Sequence, residues 1–155
     1  MAPSPEADVA TVVAVDAADC LDLRRRVLRD GTPSGDPTFP EDDEPTTLHL
    51  GVLDDGGRLV GVATFLHRPC PGRPEMAAVQ LRGMAVEPAQ QGSGVGRILL
   101  TAALERLRAE GADVLWAKAR DQSLGFYERL GLHVEGDGYV TADTGLPHHT
   151  VVVVL

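Results

Sequence analysis

The chain has 155 residues, 43% of them apolar and 24% charged, with a formal charge of −9, which fits one compact soluble domain over residues 1–155 that buries its core without cross-links. The acidic balance argues against a nucleic-acid groove, which needs clustered Lys and Arg, and no apolar run approaches the ~20 residues of a membrane span. Cys20 and Cys70 have no second Cys or paired His at metal-like spacing, so neither a disulfide nor a zinc site is expected, and the opening residues lack the basic and apolar regions of a leader, so the chain reads as cytoplasmic.

Residues 9–15 are apolar and β-branched, predicting a first strand, and residues 17–29 place Leu21, Leu23, Val27 and Leu28 on a helical repeat. Residues 30–46 carry four prolines and the acidic run Glu41-Asp42-Asp43-Glu44, a loop with room for a short helical turn. Residues 47–53 and 59–67 flank Asp54-Asp55-Gly56-Gly57 as a hairpin. After a loop at 69–74, residues 76–86 form a longer strand that delivers the chain to a glycine-rich turn at 91–97. The next helix shows an apolar stripe of Val95, Ile98, Leu99, Ala102 and Ala103, widened by Leu100, Leu104 and Leu107, and Gly111 supplies its stop. Residues 112–119 read as a buried strand, Asp121 as the N-cap of a short helix ending at Gly131, and residues 132–140 and 150–155 as the last strands. The element order is β-α-β-β-β-α-β-α-β-β.

The turn reads Gln91-Gly92-Ser93-Gly94-Val95-Gly96-Arg97. Glycines at alternate positions let main-chain N–H groups converge on one anion, and the following helix points its positive end at the same spot. The dinucleotide fingerprint G-x-G-x-x-G would need glycine at Arg97, and the nucleotide loop G-x-x-x-x-G-K-[ST] would need a Lys-Ser or Lys-Thr pair; neither is present. What remains, with Val86, Pro88, Gln91, Gly92, Gly94 and Gly96, resembles the pyrophosphate loop V-x-P-x-x-[QR]-G-x-G-x-G of the GCN5-related N-acetyltransferase (GNAT) family. A second segment, Ser123-Leu124-Gly125-Phe126-Tyr127-Glu128-Arg129-Leu130-Gly131-Leu132, resembles the family's A-x-x-F-Y-E-x-L-G-F, with Ser123 and Leu132 replacing the usual alanine and phenylalanine. Together the matches span residues 80–132.

The resemblance implies an α/β fold: a mixed, mostly antiparallel central sheet of about seven strands flanked by helices, the acyl-CoA N-acyltransferase fold, splayed between the fourth and fifth strands where the pantetheine arm inserts. It implies an N-acetyltransferase that passes an acetyl group from acetyl-CoA directly to a primary amine of a small molecule or peptide, with no metal and no other cofactor. Main-chain N–H groups of Gln91, Gly92, Ser93, Gly94, Val95, Gly96 and Arg97 are then expected to hold the pyrophosphate, and Met84, Ala85 and Val86 to pair with the pantetheine amides in β fashion. The net charge repels such a ligand, so local N–H groups and Arg97 must overcome it, and affinity should owe little to long-range steering. Family members are often dimers, and a homodimer is compatible, although the sequence defines no interface.

Two proton problems follow. A lysine-like amine of pKa ~10.4 is mostly protonated at neutral pH, and exposing its lone pair costs about 4.6 kcal/mol. The departing thiolate also needs stabilising. Tyr127 matches the family's tyrosine in that role; full transfer from an ordinary phenol is uphill by roughly 2 kcal/mol, so Tyr127 is better described as a hydrogen-bond donor that becomes a general acid only where its surroundings favour it. The base departs from the pattern. Many relatives carry a glutamate where this chain has Gln80, which accepts no proton. Glu75, Glu87, His133, His148 and His149 are candidates, each more in keeping with an ordinary surface or loop residue, and proton loss relayed by water stands ahead of any one of them. Arg120 sits where relatives often have Asn. The run at 41–44 borders the acceptor site in the family, where it either draws a cationic amine or forms a solvated face. A non-catalytic domain that binds an acyl-CoA and regulates a partner is the second reading, kept open by Gln80; a nucleotide-binding protein is the third.

Overall fold

The computed structural model describes residues 11–155, so residues 9 and 10 of the expected opening strand lie outside the described residues. The strands are β1 (Thr11–Ala14), β2 (Leu48–Leu53), β3 (Leu59–His67), β4 (Ala78–Val86), β5 (Val114–Arg120), β6 (His133–Val140) and β7 (Pro147–Val154). The helices are α1 (Ala17–Leu23), α2 (Val95–Ala109) and α3 (Leu124–Arg129). They build one mixed sheet in the order β1-β2-β3-β4-β5-β7-β6. Only β4 and β5 pair in parallel, because the chain between them crosses over through α2; every other neighbouring pair is antiparallel.

The predicted stripe of α2 is its buried face. Val95, Leu99, Leu100, Ala103, Leu104 and Leu107 pack on Ala63, Phe65, Val79, Leu81, Leu115 and Ala117 of the central strands. Each such leucine contributes roughly 1.5–3 kcal/mol by leaving water, so this layer fixes α2, and with it the glycine turn, against the sheet. Gly111, at φ +85°, lets Ala112 N donate to the Leu107 carbonyl at 3.0 Å and ends the helix as expected. The opposite face of the sheet carries buried polar residues instead, among them Thr64, Gln80, His148 and Thr150.

Three expectations are corrected. Residues 17–29 are not one α-helix: after Leu23 the chain widens into a π-turn, Arg24–Leu28, closed by Arg29 N donating to the Arg24 carbonyl at 3.1 Å. The Arg24 side chain, 1% exposed, is held there by Asp42 (2.8 and 3.0 Å), Thr64 Oγ1 (2.6 Å) and the Pro37 carbonyl (3.1 Å), long-range partners that periodicity does not contain. Asp121 caps no helix; it opens a 3-10 turn, and its carboxylate accepts a hydrogen bond from His149 Nδ1 at 2.6 Å. β7 begins at Pro147 rather than 150, since His148 pairs with Arg120 on one side and Tyr139 on the other. Among the described residues, no helix is long and apolar enough to cross a membrane.

Candidate active site

The site begins where two strands part. β4 and β5 pair only from Ala78 to Leu81 against Val114 to Ala117, so residues 82–86 and 118–120 face each other across an opening. A bulge in β4 sets Gly83 and Met84 opposite the single residue Ala63 of β3. Such a bulge bends its strand, here at the point where β4 leaves β5. Only glycine serves at 83: φ is +69°, and a Cβ would stand 2.6 Å from the Phe39 ring.

Two cavities meet in this opening. A groove of about 480 Å³ is bordered by Met84, Val86, Gln91, Gly92, Gly96 and Phe126. A larger cleft of about 840 Å³ is lined by Gln80, Arg82, Lys118, Tyr127, Tyr139 and His148, among others. Leu28, Met84, Arg120 and Ser123 border both. Arg120 donates to the Leu28 carbonyl of the π-turn at 2.7 Å, tying β5 to that end of the helical segment.

The glycine turn presents its main chain to the groove. Gly92 and Gly94 have φ of +85° and +96°, with no atom within 4 Å of where a Cβ would stand. Gly96 serves packing instead, since a Cβ there would lie 3.1 Å from Phe126. The first helical hydrogen bond of α2 runs from Ile98 N to the Gly94 carbonyl at 3.0 Å, leaving the N–H groups of Val95, Gly96 and Arg97 without a helical acceptor at the positive end. Gln91 and Ser93 depart from the expectation: their amides donate to the Pro88 and Gln90 carbonyls within the turn. The Gln91 side chain braces the turn by donating to the Val86 carbonyl at 3.1 Å, and the Ser93 hydroxyl bonds the Gln90 carbonyl. The Val95 side chain is core, and Ala85 packs with Cys20, Leu23 and Val62, so these two offer only backbone, whereas Met84 and Val86 border the groove. Arg97 is exposed and makes no ion pair among the described residues.

Tyr127 reaches the same opening from α3. Its ring packs in the main core, edge-on to Phe126 at 5.1 Å, while the residue also lines the cleft. Its hydroxyl has no hydrogen-bond partner among the described residues, and burial pushes its pKa up to about 12. The phenol is therefore a neutral donor with its proton uncommitted.

Of the base candidates, only His148 lines the cleft. It is 5% exposed, and its Nδ1 lies 2.8 Å from the Leu146 carbonyl. A carbonyl only accepts, so Nδ1 carries a proton, and in the neutral tautomer the lone pair sits on Nε2. The ring stacks on Tyr139 at 6.1 Å. The other candidates are spent or remote. Glu87 pairs with Arg26 at 2.8 Å, His133 is exposed beside Glu135, His149 is bonded to Asp121, and Glu75 is an exposed loop residue. Gln80 is buried in β4 and lines the cleft.

Three of the four residues of the acidic run are ion-paired, and the fourth, Asp43, is exposed. Asp42 pairs with Arg24, Glu41 with Arg82 (3.2 Å) and Arg68 (3.5 Å), and Glu44 with Arg68 (2.8 Å). Among the described residues no group of three or more His, Cys, Asp or Glu could hold a metal ion.

The profile of the acetyltransferase (GNAT) family matches residues 18–132. The chain belongs to that family. It is 29% identical over 141 residues to the uncharacterized N-acetyltransferase YitI of Bacillus subtilis (strain 168), covering 91% of this chain and 93% of that one. Its fold is that of a GCN5-related N-acetyltransferase from Kribbella flavida (TM-score 0.72, 23% identity, 98% and 100% of the two chains). It is also that of a GNAT superfamily phosphinothricin acetyltransferase from Sinorhizobium meliloti, solved in complex with AcCoA (TM-score 0.70, 20% identity, 95% and 89%). As a GNAT chain it is built for acyl transfer. Sequence reasoning passed over Arg82, Lys118 and Tyr139 in the cleft; the one visible signal was Lys118, the only lysine of the chain, interrupting the apolar run from Val114 to Ala119.

Proposed function

We propose that the protein transfers an acetyl group from acetyl-CoA to a primary amine of a small molecule or peptide, by direct attack, in the opening between β4 and β5. The observation that carries this reading is the uncommitted hydroxyl of a buried tyrosine lining the opening, beside a helix mouth whose amides are free. The turn fits a diphosphate: two glycines with no Cβ and no crowding atom flank the donor groups of Gly94, Val95, Gly96 and Arg97. The backbone at Met84, Ala85 and Val86 lies along the groove edge for pairing with amides. When bound, acetyl-CoA supplies an activated acetyl thioester.

The residues of the chain manage the two protons. With a pKa of about 12 against ~8.5 for an ordinary thiol, complete transfer from Tyr127 is uphill by roughly 5 kcal/mol, more than an unburied phenol would face. Tyr127 therefore acts as a hydrogen-bond donor to the sulfur, a charge-stabilising role that burial strengthens. His148 Nε2 takes the proton of the amine, directly or through one water, replacing the glutamate that Gln80 displaces.

The test is Tyr127→Phe assayed for thiol release with a panel of primary amines, alongside calorimetric titration with acetyl-CoA. Turnover should fall more than tenfold while coenzyme affinity changes little. Unchanged turnover would remove the tyrosine from the mechanism, and thiol release no faster than background hydrolysis in the wild type would favour the regulatory reading.

A further inference from the structure

The cleft has the opposite charge to the molecule. The chain carries −9, yet five cations, Arg29, Arg68, Arg82, Lys118 and Arg120, line the cleft against two carboxylates, Glu41 and Asp143. The carboxylates are committed. Asp143 faces Arg29 at 3.3 Å, and Glu41 is shared between Arg82 and Arg68. Arg68 is further matched by Glu44. Among the described residues Lys118 and Arg120 are left with no carboxylate partner; Arg120 donates to a neutral carbonyl, and the Lys118 ammonium makes no hydrogen bond. Lys118 is exposed to the cleft, so its charge is available to a ligand rather than held in the fold.

Register places these charges at the reaction point. Gln80 and Trp116 are partners, as are Leu81 and Ala117; Arg82 and Lys118 are the next residue on each strand, the first beyond the last paired rung. By strand alternation they project from the same face as Gln80 and Trp116, and Arg120 follows two residues later on that face. His148 is the β7 partner of Arg120. Cations thus flank both the opening where Tyr127 emerges and the imidazole assigned as base.

A plain alkylammonium ion would meet a net positive lining here, whose two carboxylates are already paired. An amine that also bears an anion enters with its positive charge offset, and its anion finds an unmatched partner. The same cations disfavour the ammonium form of the acceptor, which eases loss of the proton that attack requires. Resting on the acetyltransferase reading above, we infer that the acceptor is a small amine carrying a carboxylate or phosphate group, held by Lys118 with Arg82 and Arg120 flanking it.

The experiment compares matched acceptors at saturating acetyl-CoA by thiol release: an amino acid against its amide for the carboxylate, and an amino sugar against its phosphate ester for the phosphate. At least one anionic member should exceed its neutral counterpart by tenfold or more in kcat/KM, and the pair that does so names the anion. Lys118→Ala should collapse that ratio mainly through KM, Lys118→Glu should invert it, and Lys118→Arg should restore it. Lys118 is exposed, so these variants are expected to fold, with circular dichroism as the check. Equal kcat/KM within every pair overturns the inference while leaving the enzyme intact. An equal loss for both members in Lys118→Ala also overturns it, because the charge would then act on the thiolate and not on the acceptor. Absence of thiol release with every amine, or of acetyl-CoA binding by calorimetry, is the separate failure of the acetyltransferase reading itself.

Discussion

His148 shows how tertiary contacts select one of several candidate bases. Its neighbours in sequence are turn and strand residues; its role comes from the Leu146 carbonyl, which fixes the tautomer, and from Tyr139, which holds the ring plane. If Nε2 takes the proton of the amine as proposed, His148→Gln should slow turnover at least tenfold by thiol release while acetyl-CoA affinity by calorimetry stays unchanged. Unchanged turnover in His148→Gln would return the task to water. Gly94 was legible from the motif alone, but its reason is conformational: at φ +96° it is the N-cap of α2, with open space where a Cβ would point. Gly94→Val should strain that backbone by about 1–2 kcal/mol and place a side chain at the helix mouth, raising the Kd for acetyl-CoA at least tenfold by calorimetry. The alternate glycines look alike in sequence, yet Gly96 answers to Phe126 and not to the ligand. Pattern reading finds the segment; only contacts divide its labour.

At the scale of elements, strands and the long helix α2 were readable because their signals are local: alternation, an apolar stripe, a glycine stop. The splay between β4 and β5 was available only through family resemblance, since it depends on a bulge at Gly83 and on pairing that stops at Leu81. The π-turn was not available at all. Its cause is Arg24, which stitches α1, the loop at 30–46 and β3 together through Asp42 and Thr64. That loop supplies Phe39 and Glu41 to the cleft wall, and the Arg24 and Arg82 guanidinium groups both lie over the Phe39 ring at 4.1 Å. Asp42→Ala strands a buried guanidinium whose Nε already lacks a partner, and should cost about 3–5 kcal/mol in chemical denaturation. A loss below 1 kcal/mol would mean the loop is held by packing alone. The acidic run thus reads as structural reinforcement, a role that charge counting does not reveal because the matching arginines lie far away in sequence.

For the whole molecule, the resolved titration shifts define a window of stability. Burial is the largest influence on the Asp42 carboxyl and raises it, but the Arg24 hydrogen bond, the Phe39 N–H and the Arg24 charge together outweigh it and hold the group below the ordinary range; the Arg26 hydrogen bond lowers Glu87 and the Arg73 hydrogen bond lowers Glu135. A carboxylate held low stabilises the fold above its unfolded pKa of ~4, and that contribution is lost as pH falls through the folded value. At the other end, burial raises Tyr127 to about 12 and, with smaller contributions from neighbouring charges, Cys20 to about 11. Both are neutral when protonated and favoured so in the fold, so their contribution is intact below the unfolded values of ~10 and ~9 and is lost as pH rises through the folded ones. Thermal midpoints should therefore hold between about pH 5 and 9 and fall on both sides. Tyr127 alone accounts for roughly 2 to 3 kcal/mol of the alkaline loss once pH reaches 12, from a shift of ~2 units. Tyr127→Phe should flatten the alkaline limb while leaving the acidic limb in place. Parallel limbs for variant and wild type above pH 10 would mean that the phenol is hydrated through the cleft, and the donor role assigned to it would weaken with its desolvation.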